Sequence, residues 1–253
     1  ILIKRNIKLF FKDKGMFFTS LITPAILLIL YVTFLSNIYR DSFLAGFPAG
    51  MSVPEDVIDG LVATQLISSM LAVSCVTVAF CSNFLMVQDR VTGAIRDLRI
   101  SPVKPAALSL SYYVATLVST LLICYAATAI CLIYVAVAGW YLSVADVFRL
   151  LLDVLLLVLF GTALSSVINF FLSTQGQISA VGAIVSAGYG FICGAYMPIS
   201  SFGEGLQTAI GFLPGTYGTS LIRNHAMQGA FAELSTQGLP TEAVEALRDA
   251  VDC

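Results

Sequence analysis

The side chains able to do chemistry in this chain are few, and they do not converge. Asp153 and Arg149 stand within an apolar run, where charge is expensive and marks either a functional group or a satisfied pair. Their i, i+4 spacing puts both on one helix face, so an intramembrane ion pair accounts for them, with a proton relay or substrate contact at Asp153 as the alternative. His225 is the only histidine. A metal centre or a catalytic triad would need partners that the sequence does not supply, so a solvated or capping role is expected. The six cysteines, Cys75, Cys81, Cys124, Cys131, Cys193 and Cys253, show no CxxC spacing, and all but Cys253 fall in apolar stretches as small packing residues. The run Gly188 to Gly194 has the wrong spacing for a dinucleotide loop, and no phosphate-cradling G-x-x-x-x-G-K-[ST] is present. No convergent set of acid, base, nucleophile or metal ligand emerges, which speaks against an enzyme.

The charges suit docking better than catalysis. Nine of the thirteen Lys and Arg residues fall in two short segments, Lys4, Arg5, Lys8, Lys12 and Lys14, then Arg90, Arg96, Arg99 and Lys104. Each segment abuts a long apolar run, so both face the cytoplasm by the positive-inside rule, and the N-terminus lies there too. A short helix from about Asp89 to Ile100, within residues 88–101, would carry Asp89 with Arg90 and Arg96 with Arg99 near a membrane face. Such a charged rod suits a soluble partner, and an ordinary basic loop is the alternative.

These residues must be positioned by membrane helices. With 58% hydrophobic and 11% charged residues and a mean hydropathy of +0.92, the chain is too apolar for a soluble domain. A net charge of -2 and an isoelectric point near 5.3 argue against nucleic acid as a partner. Crossing a core of about 30 Å takes roughly 20 residues, and five stretches suffice: Met16 to Ile38, Leu61 to Val87, Ala107 to Ala138, Val144 to Leu172 and Gln177 to Pro198. The expected class is an all-α polytopic membrane protein. An odd number of spans leaves the C-terminus outside, and a sixth span is expected beyond it.

Around these spans the chain divides into three parts. Residues 1–14 interleave Ile3, Ile7, Phe10 and Phe11 with Lys4, Lys8 and Lys12, the pattern of an amphipathic interfacial helix. Residues 15–198 form the membrane domain, with Asn37 to Gly60 as a polar external loop and Gly139-Trp140-Tyr141 at a tight hairpin. Residues 199–253 form an external segment, in which Phe202 to Leu213 and Thr216 to Phe231 are short helices dipping toward the membrane. A soluble terminal helix follows from Pro240-Thr241-Glu242, with Val244, Leu247 and Val251 as its apolar stripe.

Two patterns lie within the spans. Thr64, Gln65, Ser68, Ser69 and Asn83 on the second span could line a pathway or bond to neighbouring helices. Gly182, Ser186, Gly190 and Gly194 recur every fourth residue and form a smooth stripe for close helix contact, within the subunit or across a dimer interface.

The segment Val87 to Val103 resembles a stretch of membrane subunits of ABC-2 type exporters. That stretch, between their second and third helices, has the approximate form E-x-E-x-G-[ST]-[LI]-x-x-L-x-[VI]-S-P-[VI] and docks on the ATPase subunit. Asp89, Gly93, Ile95, Leu98, Ile100, Ser101, Pro102 and Val103 match; Val91, Ala94 and Arg99 depart. Gly194 to Phe202 and Phe212 to Tyr217 resemble the same family's external helices. The resemblance covers almost the whole chain.

It implies the permease of an ATP-driven exporter in the cell membrane, working with a second permease copy and two cytoplasmic ATPase subunits that carry ATP and Mg. Asp89, Arg90, Gly93, Ile95, Arg96, Leu98 and Arg99 would then couple to the ATPase, and the second and fifth helices would line the path. This chain would hold no cofactor, metal or catalytic residue. An ATP-independent membrane scaffold recruiting a cytoplasmic partner is the alternative.

Overall fold

The computed structural model describes residues 1–46, 54–196, 199, 202–236, 244–245, 247–248 and 251. Every regular element among them is helical. A basic amphipathic helix, α1 (Leu2–Lys12), ends at Asp13, whose extended backbone turns the chain and whose carboxylate accepts the Met16 amide at 3.1 Å, opening α2 (Lys14–Leu30). A π-helical turn at Tyr31–Leu35 joins α2 to α3 (Ser36–Gly46) in one continuous helical rod.

The fold is built around α4 (Glu55–Val91), a helix of 37 residues and so about 55 Å long. Every residue from Leu61 to Asn83 is buried, because α2, α6, α7, α8 and α10 pack around it. A helix apolar on all sides needs such a surround. Its hydroxyls are satisfied partly within the helix: Thr64 donates to the Gly60 carbonyl at 2.8 Å and Thr77 to that of Val73 at 3.0 Å.

After a turn at Thr92-Gly93 come α5 (Ala94–Ile100), α6 (Pro105–Ala138) and α7 (Val144–Phe170). Ser143 and Asp146 start α7 with reciprocal side-chain bonds to each other's backbone amides. The remaining helices are α8 (Gln175–Ile192), α9 (Glu204–Gly211) and α10 (Pro214–Thr236).

Among the described residues, four helical stretches can cross a membrane by length and composition: Lys14–Asp41, Glu55–Val91, Pro105–Ala138 and Val144–Phe170. They coincide with the first four expected spans. The fifth, α8, has 18 residues, about 27 Å, is not among those four, and stops before the expected Pro198, which lies outside the described residues.

Three further expectations are corrected by packing. The presumed loop Asn37 to Gly60 is helical to Gly46 and again from Glu55, and Arg40 joins the two pieces through Asp59 at 3.0 Å and Glu55 at 3.5 Å. The short helix expected from Thr216 to Phe231 is the 23-residue α10, and its Arg223 is buried, the guanidinium donating to the carbonyls of Gly194 and Val251. Val244, Leu247 and Val251, expected on a free external helix, are buried in the main core instead. Pro240-Thr241-Glu242 and Cys253 lie outside the described residues, and the other five cysteines are buried as free thiols.

Candidate functional site

At the basic end of the bundle, the segment expected to form one helix is split. Gly93 adopts φ +83°, a left-handed conformation that glycine enters at no steric cost, and this ends α4 and starts α5 at a new angle. Ser101 closes α5, its hydroxyl donating to the Leu98 carbonyl at 2.6 Å. Ile95 and Leu98 pack with Leu85, Leu108 and Tyr112 beneath the helix. Arg96 and Asp97 project into the open, and Ile100 stands 84% exposed with Val91 at 47%. Arg99 lies in α5 by its backbone. The result is a short platform with an apolar underside and a mixed charged and apolar upper face.

Asp89 and Arg90, expected to share that platform, stay on α4 and turn inward. The buried Asp89 carboxylate accepts Arg5 Nη1 at 2.8 Å and the Tyr112 hydroxyl at 2.5 Å, while Asn6 donates to Ser111 at 3.4 Å. Burial works against the charge on Arg5, but the hydrogen bonds and charges of Asp89 and Tyr112 together outweigh it, so the guanidinium pKa is raised. Three helices, α1, α4 and α6, are thereby bolted together directly behind the platform. Arg90 donates to the carbonyls of Phe170 at 2.6 Å and Leu172 at 3.2 Å and lies over the Phe170 ring at 5.4 Å. It thus caps the C-terminus of α7, where carbonyls lack helical partners and the dipole favours a cation.

A cavity of about 540 Å³ lies between α2, α4 and α8. It runs from Asp13, Gln88 and Gln175 at the basic end to Ile22 and Ser186 deeper in the bundle. Thr19, Ser179 and Gly182 share its lining with Met16, Phe84, Cys81 and Ile178, so polar and apolar surfaces alternate. Among the described residues, one carboxylate and no Lys or Arg line it.

The polar residues of α4 expected on a pathway are not on this cavity. Thr64, Gln65, Ser68, Ser69 and Asn83 are all buried within the subunit. Asn83 donates to Ser165 at 3.2 Å and Ser166 at 3.1 Å and accepts from Thr116 at 3.5 Å, an interhelical knot joining α4, α6 and α7.

The glycine stripe also divides. Gly182 brings α8 close to the Phe84 ring, where a Cβ would stand 3.2 Å away, and Ser186 lines the cavity. Gly190 lies under the Tyr196 ring, with no room for any Cβ. Gly194 falls beyond the helix at φ +70° and offers its carbonyl to Arg223.

The expected Arg149–Asp153 pair is absent. Arg149 turns to Asp146 at 3.2 Å and Gln228 at 3.3 Å, toward the exposed start of α7, while the buried Asp153 meets His225 Nδ1 at 2.5 Å. A long guanidinium stem can reach polar surroundings that a short carboxylate cannot, so Asp153 depends on α10 for its partner. His225 is therefore an internal partner rather than a solvated side chain.

A helical bundle with several apolar spans, a split basic hairpin between the second and third, and an amphipathic first helix is the architecture of a multi-pass membrane protein. Residues 1–226 match the model of the ABC-2 type transporter family, and the chain belongs to that family. It is the permease component of an ABC transporter. No curated protein and no solved structure gives a significant match.

Proposed function

We propose that this permease exports its substrate by coupling to separate cytoplasmic ATPase subunits, and that residues 93–100 carry the docking contact. The observation that carries this reading is the α5 platform, fixed beneath by Ile95 and Leu98 yet open above at Arg96, Asp97 and Ile100. A face that mixes exposed charged and apolar side chains suits contact with a soluble partner. The basic ends of α1 and α5 would face the cytoplasm by the positive-inside rule. Asp89 and Arg90 serve this coupling indirectly, holding the platform to α1, α6 and α7.

ATP and Mg belong to the ATPase in this reading. Closure of two ATPase subunits would push α5, and α4 would carry the displacement into the membrane domain. The cavity between α2, α4 and α8 is the proposed entry for substrate, and its mixed lining fits an amphipathic molecule. A second permease copy would complete the path along the exposed side of α8.

The test is to purify the tagged full-length protein in mild detergent, identify co-purifying proteins and assay ATP hydrolysis. A stoichiometric subunit with a G-x-x-x-x-G-K-[ST] loop and ATPase activity supports the exporter. Reproducible recovery without an ATPase would overturn it in favour of a scaffold.

A further inference from the structure

A second cavity, of about 520 Å³, lies on the other side of α2, between that helix and α6. The described residues that line it are all apolar, among them Phe11 of α1, Phe17, Leu21 and Pro24 of α2 and Ile123 and Ala126 of α6. Along α2 it extends from Phe17 to Leu28, a rise of about 16 Å, which is one leaflet of a hydrocarbon core of about 30 Å. The small side chains of Ala25, Ala126 and Ala127 make it a groove, where larger residues would give a sealed helix contact.

The end of it lined by Phe11 and Phe17 adjoins a run of cations in the chain. Lys12 and Lys14 sit within five residues of Phe17, and both are exposed, as are Lys4 and Lys8 one and two turns earlier on α1. None of the four takes an ion-pair partner among the described residues. The one acid beside them, Asp13, caps the Met16 amide and lines the opposite cavity. We infer that the α2–α6 groove binds one acyl chain of an anionic phospholipid, with Lys12 and Lys14 holding its phosphate. A leaflet-deep apolar slot with unpaired cations at the headgroup level has the charge and length complementary to that molecule.

Native mass spectrometry of the full chain, delipidated in mild detergent and titrated with phosphatidylglycerol or phosphatidylcholine of equal chain length, tests this directly. One phosphatidylglycerol is expected to bind about tenfold or more tighter than phosphatidylcholine, since each surface lysine adds several-fold attraction to anionic lipid. Lys12→Gln with Lys14→Gln should remove that preference and leave the weaker chain binding. Ala126→Phe should fill the groove and release either lipid, whereas Ala129→Phe, exposed on the same helix but outside the lining, should leave retention unchanged. Inorganic phosphate should not displace the lipid, which separates a lipid site from a phosphate site.

Equal binding of the two lipids by the unaltered protein would overturn the assignment. So would identical behaviour of the Ala126 and Ala129 variants, the mark of unselective boundary lipid. A dimer that Ala126→Phe dissociates would overturn it in favour of a second copy of the chain. The exposed lysine pair keeps the test decisive if Ala126→Phe fails to fold.

Discussion

Arg5 and Asp89, 84 positions apart in sequence, meet at 2.8 Å at the point where α1 crosses the end of α4. Asp89 is buried with Tyr112 on the same oxygen, so the pair fastens α1 to α4 and α6. Losing either partner strands a polar group, and because Arg5 is one-third exposed the cost is discounted to about 1–2 kcal/mol. Asp89→Asn and Arg5→Gln should each lower the melting temperature in detergent. The double variant should lose less than the sum. Additive losses would mean that the two side chains do not act as a pair.

Gly93 sets the angle between α4 and α5 through its positive φ, and nothing lies within 4 Å of a Cβ placed there. Backbone conformation, not crowding, is therefore the constraint. Gly93→Ala should cost about 1 kcal/mol or more, and Gly93→Asn less, because asparagine enters the left-handed region more readily. Gly93→Pro cannot adopt that φ at all. It should leave the protein inserted while separating ATP hydrolysis from transport, read by assaying both in proteoliposomes.

Arg96 faces open space, so its replacement should change stability by less than about 0.5 kcal/mol. Reversal by Arg96→Glu should nonetheless reduce ATPase capture about tenfold in a pull-down, with the loss shrinking at high salt. Normal capture by this variant together with normal coupling by Gly93→Pro would remove α5 from the docking contact.

Asp153 draws its partner from α10, which makes the two neighbouring charges on α7 unequal. Asp153→Ala should destabilise by about 1–3 kcal/mol, since it leaves His225 without its bond. Arg149→Gln should cost under about 0.5 kcal/mol, because Arg149 is half exposed. Equal losses in thermal unfolding would instead favour a pair between residues 149 and 153.

Gly190 and Tyr196 are in direct steric contact. Gly190→Ala should cost about 1–3 kcal/mol by overpacking, and Tyr196→Ala in the same chain should recover much of it. No recovery in thermal unfolding would place the strain elsewhere.

What the sequence displays and what it conceals follow from the range of the interactions. Apolar runs and basic clusters are local, so the first four spans and the amphipathic α1 are legible before any coordinates. Gly93 was legible as a motif position, but its left-handed turn was not, because the surrounding periodicity suits one continuous helix. Arg90 caps Phe170 and Leu172, partners some 80 residues away, and no spacing rule reaches that far. The same holds for His225 and Asp153, separated by 72 positions. Their rarity was the one visible signal: an acid inside a span needs a partner, and a lone histidine was available. Asn83 carries two readings in sequence, with interhelical bonding the commoner use, and Ser165, Ser166 and Thr116 supply that bonding from positions no spacing rule predicts.

The enclosure of α4 from Leu61 to Asn83 gives the molecule a mechanical character. A rod gripped on every side has no free direction in which to slip by itself, so a thrust on one end is borne by the whole block. Compliance is expected where backbone regularity lapses, among other places at Asp13, at Gly93 and at the widened turn Tyr31–Leu35. These act as bearings around a stiff shaft, and motion is measured best there, with distance probes flanking each joint rather than along α4.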